Sequence, residues 1–205
     1  AGNLYAMGRI AKQAGIENLE RPADRWLLDA CRLTWRAKLH LHLMLDLFNQ
    51  ATEKAEAEAA GLRSEGCDVK AVACDATSPE SVAKLAQTIS ERGGFHAIVQ
   101  VAGLSPATGT FRQIIDVNLR GAALVAQALR PLARPGSVAI LVSSLSAHRY
   151  FPSDEMVAIL RDPTANDLAE RLEKLVGPEA AKTGVGYPIS KWGMNFYCRR
   201  QAPAW

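Results

Sequence analysis

A chain of 205 residues with 48% hydrophobic and 22% charged content has the balance of one globular domain with a sizeable core, which excludes a largely disordered chain. Its 24 basic and 21 acidic residues leave a net charge of +3 with no dense basic stripe for a phosphate backbone, so no nucleic-acid partner is expected. Cys31, Cys67, Cys74 and Cys198 lack Cys-x-x-Cys spacing and nearby paired histidines, which argues against a metal site or a disulfide framework and fits reduced thiols in a cytoplasm.

The chain opens on Gly2-Asn3-Leu4-Tyr5-Ala6-Met7-Gly8-Arg9 and runs into a helical stretch over residues 10–14. Gly2 and Gly8 suit a turn whose backbone approaches a pyrophosphate at a helix N-terminus, and an ordinary glycine-containing turn has the same composition. Residues 16–38 fit no alternation of strand and helix; with Trp26, Cys31 and Trp35 along a helix over 23–39, they read as an anomalous insertion. The first residue is not Met and no secretory pattern opens the chain, so it reads as a fragment, incomplete at both ends.

The apolar run over residues 39–48 is far short of the ~20 residues that span a bilayer, and His40, His42 and Asp46 interrupt it. It reads as a strand over 39–45, and no membrane association is expected. Asp46 at its end suits an acid that bonds an adenosine ribose and repels a 2′-phosphate, favouring NAD over NADP; a solvated loop aspartate is the other reading.

From residue 51 onward helix and strand alternate. The pattern predicts a helix over 51–64, a strand over 68–73 and a helix over 78–92 with Ser78 as N-cap and Pro79 at its first position. Asp75, between the last two, binds an adenine amino group or caps the turn before Ser78. A buried strand over 95–101 ends in Val101-Ala102-Gly103, where Ala102 and Gly103 let a cofactor ribose lie against the backbone or serve a tight turn.

A long helix is predicted over 111–133, with Ile114, Val117, Leu124, Val125 and Leu129 at helical spacing. Asn118 inside it competes for backbone hydrogen bonds, which points to a local kink with a polar role or to a surface asparagine. An apolar strand over 137–142 follows. Ser144 comes two residues later, at the carboxyl end where ligands gather in open sheets, with Ser143 as its competitor. The alternation predicts an α/β fold: a doubly wound parallel sheet with helices on both faces, a single domain over 1–205.

Residues 145–186 interrupt the alternation as an insertion, with an amphipathic helix marked by Leu168, Leu172, Leu175 and Val176, expected at the mouth of the site on the substrate side. Tyr187-Pro188-Ile189-Ser190-Lys191 then places a tyrosine one helical turn before a lysine. Because residues before proline avoid the helical region, Tyr187 is expected at the cap with Pro188 first in the helix. An ammonium one turn on favours a phenolate; a partly buried tyrosine beside a solvated lysine is the plainer reading.

Taken in order, Asn118, Ser144, Tyr187 and Lys191 resemble the catalytic tetrad of the short-chain dehydrogenase/reductase family. The family's Thr-Gly-x3-Gly-x-Gly survives as Ala1-Gly2-x3-Ala6-x-Gly8, and Asn-Asn-Ala-Gly as Gln100-Val101-Ala102-Gly103. The long gap between Ser144 and Tyr187 is similar to the branch containing 3α-hydroxysteroid dehydrogenase/carbonyl reductase. The resemblance implies a Rossmann-like fold, a nicotinamide cofactor held by Gly2, Gly8, Asp46, Asp75, Ala102, Gly103, Tyr187 and Lys191, and hydride exchange with a secondary alcohol or ketone, steroids or other bulky carbonyls among the candidates. Tyr187 would be the general acid/base, with its phenol, of ordinary pKa about 10, shifted by Lys191 and the cofactor's positive ring. Ser144 would hold the substrate oxygen, and Asn118 would orient a water beside Lys191. Homodimers or homotetramers through the helices bearing Asn118 and Tyr187 are implied as well. The missing middle glycine at Ala6 and the absence of a first strand point instead to a non-catalytic nucleotide-binding or structural module, or to an inactive fragment.

Overall fold

The computed structural model describes residues 43–46 and 52–205. The chain divides into two compact units, Ala1–Ala73 and Cys74–Trp205. Gly2, Gly8 and the 16–38 region lie outside the described residues.

In the first unit, β1 (Leu43–Asp46) and β2 (Lys70–Ala73) pair in parallel, from Leu43 opposite Lys70 to Asp46 opposite Ala73. Parallel strands need a crossover, and α1 (Thr52–Ser64) supplies it. Ala55 and Ala59 are buried on α1, as is Val69 before β2, and Arg63 donates to the Val69 carbonyl at 2.9 Å.

The second unit opens on α2 (Pro79–Glu91). Ser78 is its N-cap, accepting from the Ser81 amide at 3.2 Å, and Pro79 occupies the first turn, where its missing N–H costs nothing. Val82, Leu85 and Ile89 form its buried face. β3 (Phe95–Gln100) and β4 (Ala133–Leu141) are again parallel, so this unit repeats the strand–helix–strand logic.

The crossover between them begins with α3 (Phe111–Ile115), whose Thr110 and Gln113 form a reciprocal capping box. It widens into a π-helical turn at Asp116–Gly121 and continues as α4 (Ala122–Leu129). The helix ends four residues before the expected boundary at 133. Pro131 lacks the N–H needed to continue it, and Arg130–Leu132 tighten into a 3₁₀ turn. β4 therefore starts at Ala133, opposite Phe95, and a bulge intervenes before Val138 pairs with Ala97. Ser137 closes the bulge, accepting from the Arg134 amide at 2.9 Å and donating to the Phe95 carbonyl at 2.7 Å.

Residues 145–186 hold a 3₁₀ turn (Leu145–Arg149), α5 (Asp154–Leu160) and α6 (Leu168–Val176). The sequence pattern anticipates α6 and misses α5. Met156, Leu160, Leu168 and Leu172 join one core with Phe111, Ile115 and Leu119 of the crossover and Ile189 and Met194 of α7 (Gly186–Gln201). The insertion is thus a structural layer on the helices that carry the site.

Candidate functional site

At the carboxyl end of β3, Gly103 and Leu104 lie against the π-helical turn. Asn118, fully buried, accepts from the Leu104 amide at 2.7 Å and donates to the Leu104 carbonyl at 2.9 Å. A side chain competing with the helix for backbone partners is what the sequence suggests for Asn118. The widened turn is the local result, and π-turns of this kind recur at functional sites. A Cβ on Gly103 would stand 2.9 Å from Asn118 Oδ1 and 3.7 Å from Lys191 Nζ, so only glycine permits this approach.

Lys191 enters the same junction from α7. It is 4% exposed, and its ammonium donates to the Val142 carbonyl, just past β4, at 2.9 Å. Burial pushes its pKa below the ordinary lysine value. An ammonium has three donors, and this bond uses one. Its Nζ lies 5.7 Å from the centroid of the Tyr187 ring, so the pair expected from the sequence does meet.

Tyr187 differs in one respect. Val185 caps α7 and Gly186 begins it, so Tyr187 and Pro188 both sit inside the first turn. Pro188 is tolerated there because first-turn amides have no intrahelical acceptor, and the Tyr187 amide turns back to the Gly184 carbonyl at 3.2 Å. Ser190 donates to the Tyr187 carbonyl at 2.8 Å and fixes that turn from inside. Tyr187 is half-buried, and its Oη makes no hydrogen bond among the described residues.

The two competing serines make different bonds. Ser143 donates to the Lys191 carbonyl at 3.2 Å and so splices the end of β4 to α7. Ser144 caps the 3₁₀ turn and accepts from the Ser146 amide at 3.3 Å and the Ser146 hydroxyl at 3.1 Å. Its own O–H is left to donate.

Asp75 is exposed and builds its turn: one carboxylate oxygen accepts from the Thr77 amide at 2.8 Å and the Thr77 hydroxyl at 2.7 Å. Its second oxygen makes no such bond, so turn-building and ligand binding are compatible. Asp46 is the last residue of β1, at the carboxyl end as expected, and its side chain lies outside the described residues. Ala102 stays beside Gly103 in the irregular segment after β3.

Two residues escape the sequence reading. Gln100, 3% exposed at the end of β3, has a buried Nε2 without a partner. Arg120 is 9% exposed within the π-turn. Its signal was present: it falls three residues after Val117 on the apolar stripe, where a charge demands specific partners. Among the described residues no group of His, Cys, Asp and Glu is placed to hold a metal ion, and no helix is long and apolar enough to cross a membrane.

A family model described as Enoyl-(Acyl carrier protein) reductase matches residues 42–162, more than half of the chain. A second, Tex central region-like, matches residues 2–62, a stretch that takes in Gly2, Gly8 and the whole 16–38 region. No curated protein sequence matches. Among solved structures, a metagenomic short-chain oxidoreductase in complex with NADP is 20% identical, with a TM-score of 0.56 over 79% of this chain and 63% of that one. The 3-alpha-hydroxysteroid dehydrogenase from Pseudomonas sp. B-0831, complexed with NADH, is 18% identical, with a TM-score of 0.55 over 80% and 66%. An alcohol dehydrogenase from the archaeon Thermococcus sibiricus, complexed with 5-hydroxy-NADP, is 21% identical, with a TM-score of 0.53 over 74% and 56%. The fold is shared, and the chain spans 56% to 66% of the length of these proteins.

Proposed function

The chain belongs to the short-chain dehydrogenase/reductase family, and from that premise we propose that it moves a hydride between a nicotinamide cofactor and a secondary alcohol or ketone. The observation that carries this reading is the junction of Lys191 with the Tyr187 ring, the Gly103 backbone and Asn118, at the carboxyl ends of β3 and β4.

The donor set suits a nicotinamide ribose. Lys191 keeps two unspent N–H donors, Gly103 lets the Asn118 and Lys191 side chains close on its backbone, and Gln100 Nε2 is an orphaned buried donor at the end of β3. When bound, the cofactor supplies or accepts the hydride. Tyr187 Oη gives a proton to the carbonyl oxygen or takes one from the alcohol. Lys191 holds positive charge beside the ring as that proton moves, and its lowered pKa eases exchange of its own proton. Ser144 donates to the substrate oxygen as charge develops there. Asn118 holds Gly103 and Leu104 in place through its two bonds to Leu104, and each end of its amide retains capacity for a water.

The end of β1 at Asp46 supports NAD over NADP, and the long gap between Ser144 and Tyr187, with the likeness to a 3-alpha-hydroxysteroid dehydrogenase, supports a bulky carbonyl such as a steroid. A cytoplasmic homo-oligomer completes the proposal. A second reading, a nucleotide-binding or structural module without turnover, is favoured by one observation: the Tex-like match covers Gly2 and Gly8, where the pyrophosphate turn would lie.

NADH fluorescence titration with a panel of ketones separates the two readings. Tyr187→Phe should lower turnover at least ~10²-fold while NADH affinity stays within about twofold. Unchanged turnover removes Tyr187 from the mechanism, and saturable binding without turnover of any ketone selects the second reading.

A further inference from the structure

Arg120 lies two residues past Asn118 and reaches in two directions. Its Nη1 donates to the Thr77 carbonyl at 3.0 Å, in the loop after β2, and its Nη2 donates to Asn166 Oδ1 at 2.7 Å, in the insertion. Nε is buried without a partner, so these are the guanidinium's two hydrogen bonds among the described residues. The neighbouring backbone is equally tight: a Cβ on Gly121 would stand 3.2 Å from the Ala76 Cβ, the Ala76 carbonyl and the Asp116 carbonyl. Ala76 is fully buried there. The Asp75–Ala76–Thr77 loop is therefore seated on the π-turn, and the insertion is fastened to that seat.

We propose that Arg120 is a positioning residue that couples the loop bearing Asp75 to the substrate-side insertion through Asn166, so that ordering either one orders the other. The cofactor side of this coupling rests on the oxidoreductase reading, since Asp75 is where the adenine end of the cofactor would be met. A guanidinium suits the task because its planar fork makes two directed bonds from one rigid group, which a lysine ammonium does not reproduce. Asn166 is exposed and outside the reacting cluster, which makes it the place to cut the coupling without disturbing the core.

The test compares Asn166→Ala and Asn166→Asp with the parent chain by hydrogen exchange and by NADH titration. In the protein alone, Asn166→Ala should speed exchange of the Thr77 and Ser78 amides, which bond to Asp75 Oδ1 and the Asp75 carbonyl, by about fivefold. NADH affinity should fall by a similar factor, and Asn166→Asp, which keeps the acceptor opposite the guanidinium, should restore both. Unchanged exchange in Asn166→Ala overturns the coupling. Faster exchange with unchanged NADH affinity overturns the positioning role. A parent chain that binds no NADH overturns the oxidoreductase reading, and the exchange comparison then still decides the coupling.

Discussion

In the Cys74–Trp205 unit, Ile115, Leu119, Leu160, Leu168, Leu172 and Met194 on the helical side are at most 1% exposed, whereas Val138, Ile140 and Val142 at alternate positions along and just past β4 are 48%, 47% and 41% exposed. Both sets are apolar, yet only the first is buried. Asn118, Ser190 and Lys191 are buried on that helical side. The site thus takes its geometry from helix packing against the insertion, while β4 contributes backbone acceptors such as the Val142 carbonyl that follows it.

The largest expected effect tests this contrast. Leu172→Ala should cost roughly 2–5 kcal/mol in urea unfolding, because its fully buried neighbours cannot collapse into the void. Ile140→Ala, on the half-exposed row, should cost about 1 kcal/mol or less. Similar losses at the two positions would mean that the exposed row is covered in solution.

Alkaline pH provides the next effect. Tyr197, 5% exposed on α7 and packed against Ala123 and Ala126 of α4, has its pKa pushed up to about 12, first by burial, then by Cys198, with Arg130 opposing. Below pH 10 the phenol is protonated in both folded and unfolded states. Between about 10 and 12 the unfolded chain ionises first and binds fewer protons, so stability falls, by roughly 3 kcal/mol across the window. Lys191 acts in the opposite sense just below its ordinary pKa: the unfolded chain holds its proton more tightly, and stability rises with pH there. Tyr197→Phe should remove the largest part of the alkaline fall and leave the smaller falls from Cys74, Cys198 and Tyr150, whose pKa values burial also raises, set against the Lys191 rise, as read from urea midpoints between pH 8 and 12. A variant that still loses the full amount would assign the loss to another group.

What was legible in the sequence follows the range of the interactions. Tyr187 and Lys191 lie one turn apart, Ser78 caps the helix that follows it, and Leu168, Leu172, Leu175 and Val176 mark one helical stripe, so local spacing suffices for each. Asn118 was legible as a misfit in its helix, but its partner, Leu104, is 14 residues away. The rest depends on longer reach: Ser143 finds the Lys191 carbonyl 48 residues on, and Arg120 finds Thr77 and Asn166 at separations of 43 and 46. No periodicity encodes those pairings. The early end of α4 was readable from Pro131; the helical period of Leu124, Val125 and Leu129 masked it.

The smallest effect belongs to the entrance of the helical side. Only Phe111–Ile115 precede the π-turn, so α3 has little more than one turn in which to set the direction of the chain towards Asn118. Thr110 is exposed, accepts from the Gln113 amide at 3.3 Å and receives the Gln113 side chain on its own amide at 2.9 Å. Thr110→Ala should cost about 1 kcal/mol and Thr110→Ser only a few tenths, because serine keeps the acceptor. If the helical side is fixed by its core, the alanine variant should shift the urea midpoint with no change in exchange at the Leu104 amide, which Asn118 holds. Faster exchange at Leu104 would instead show that the cap, and not the packing of Ile115 and Leu119, sets the turn on which Asn118 stands.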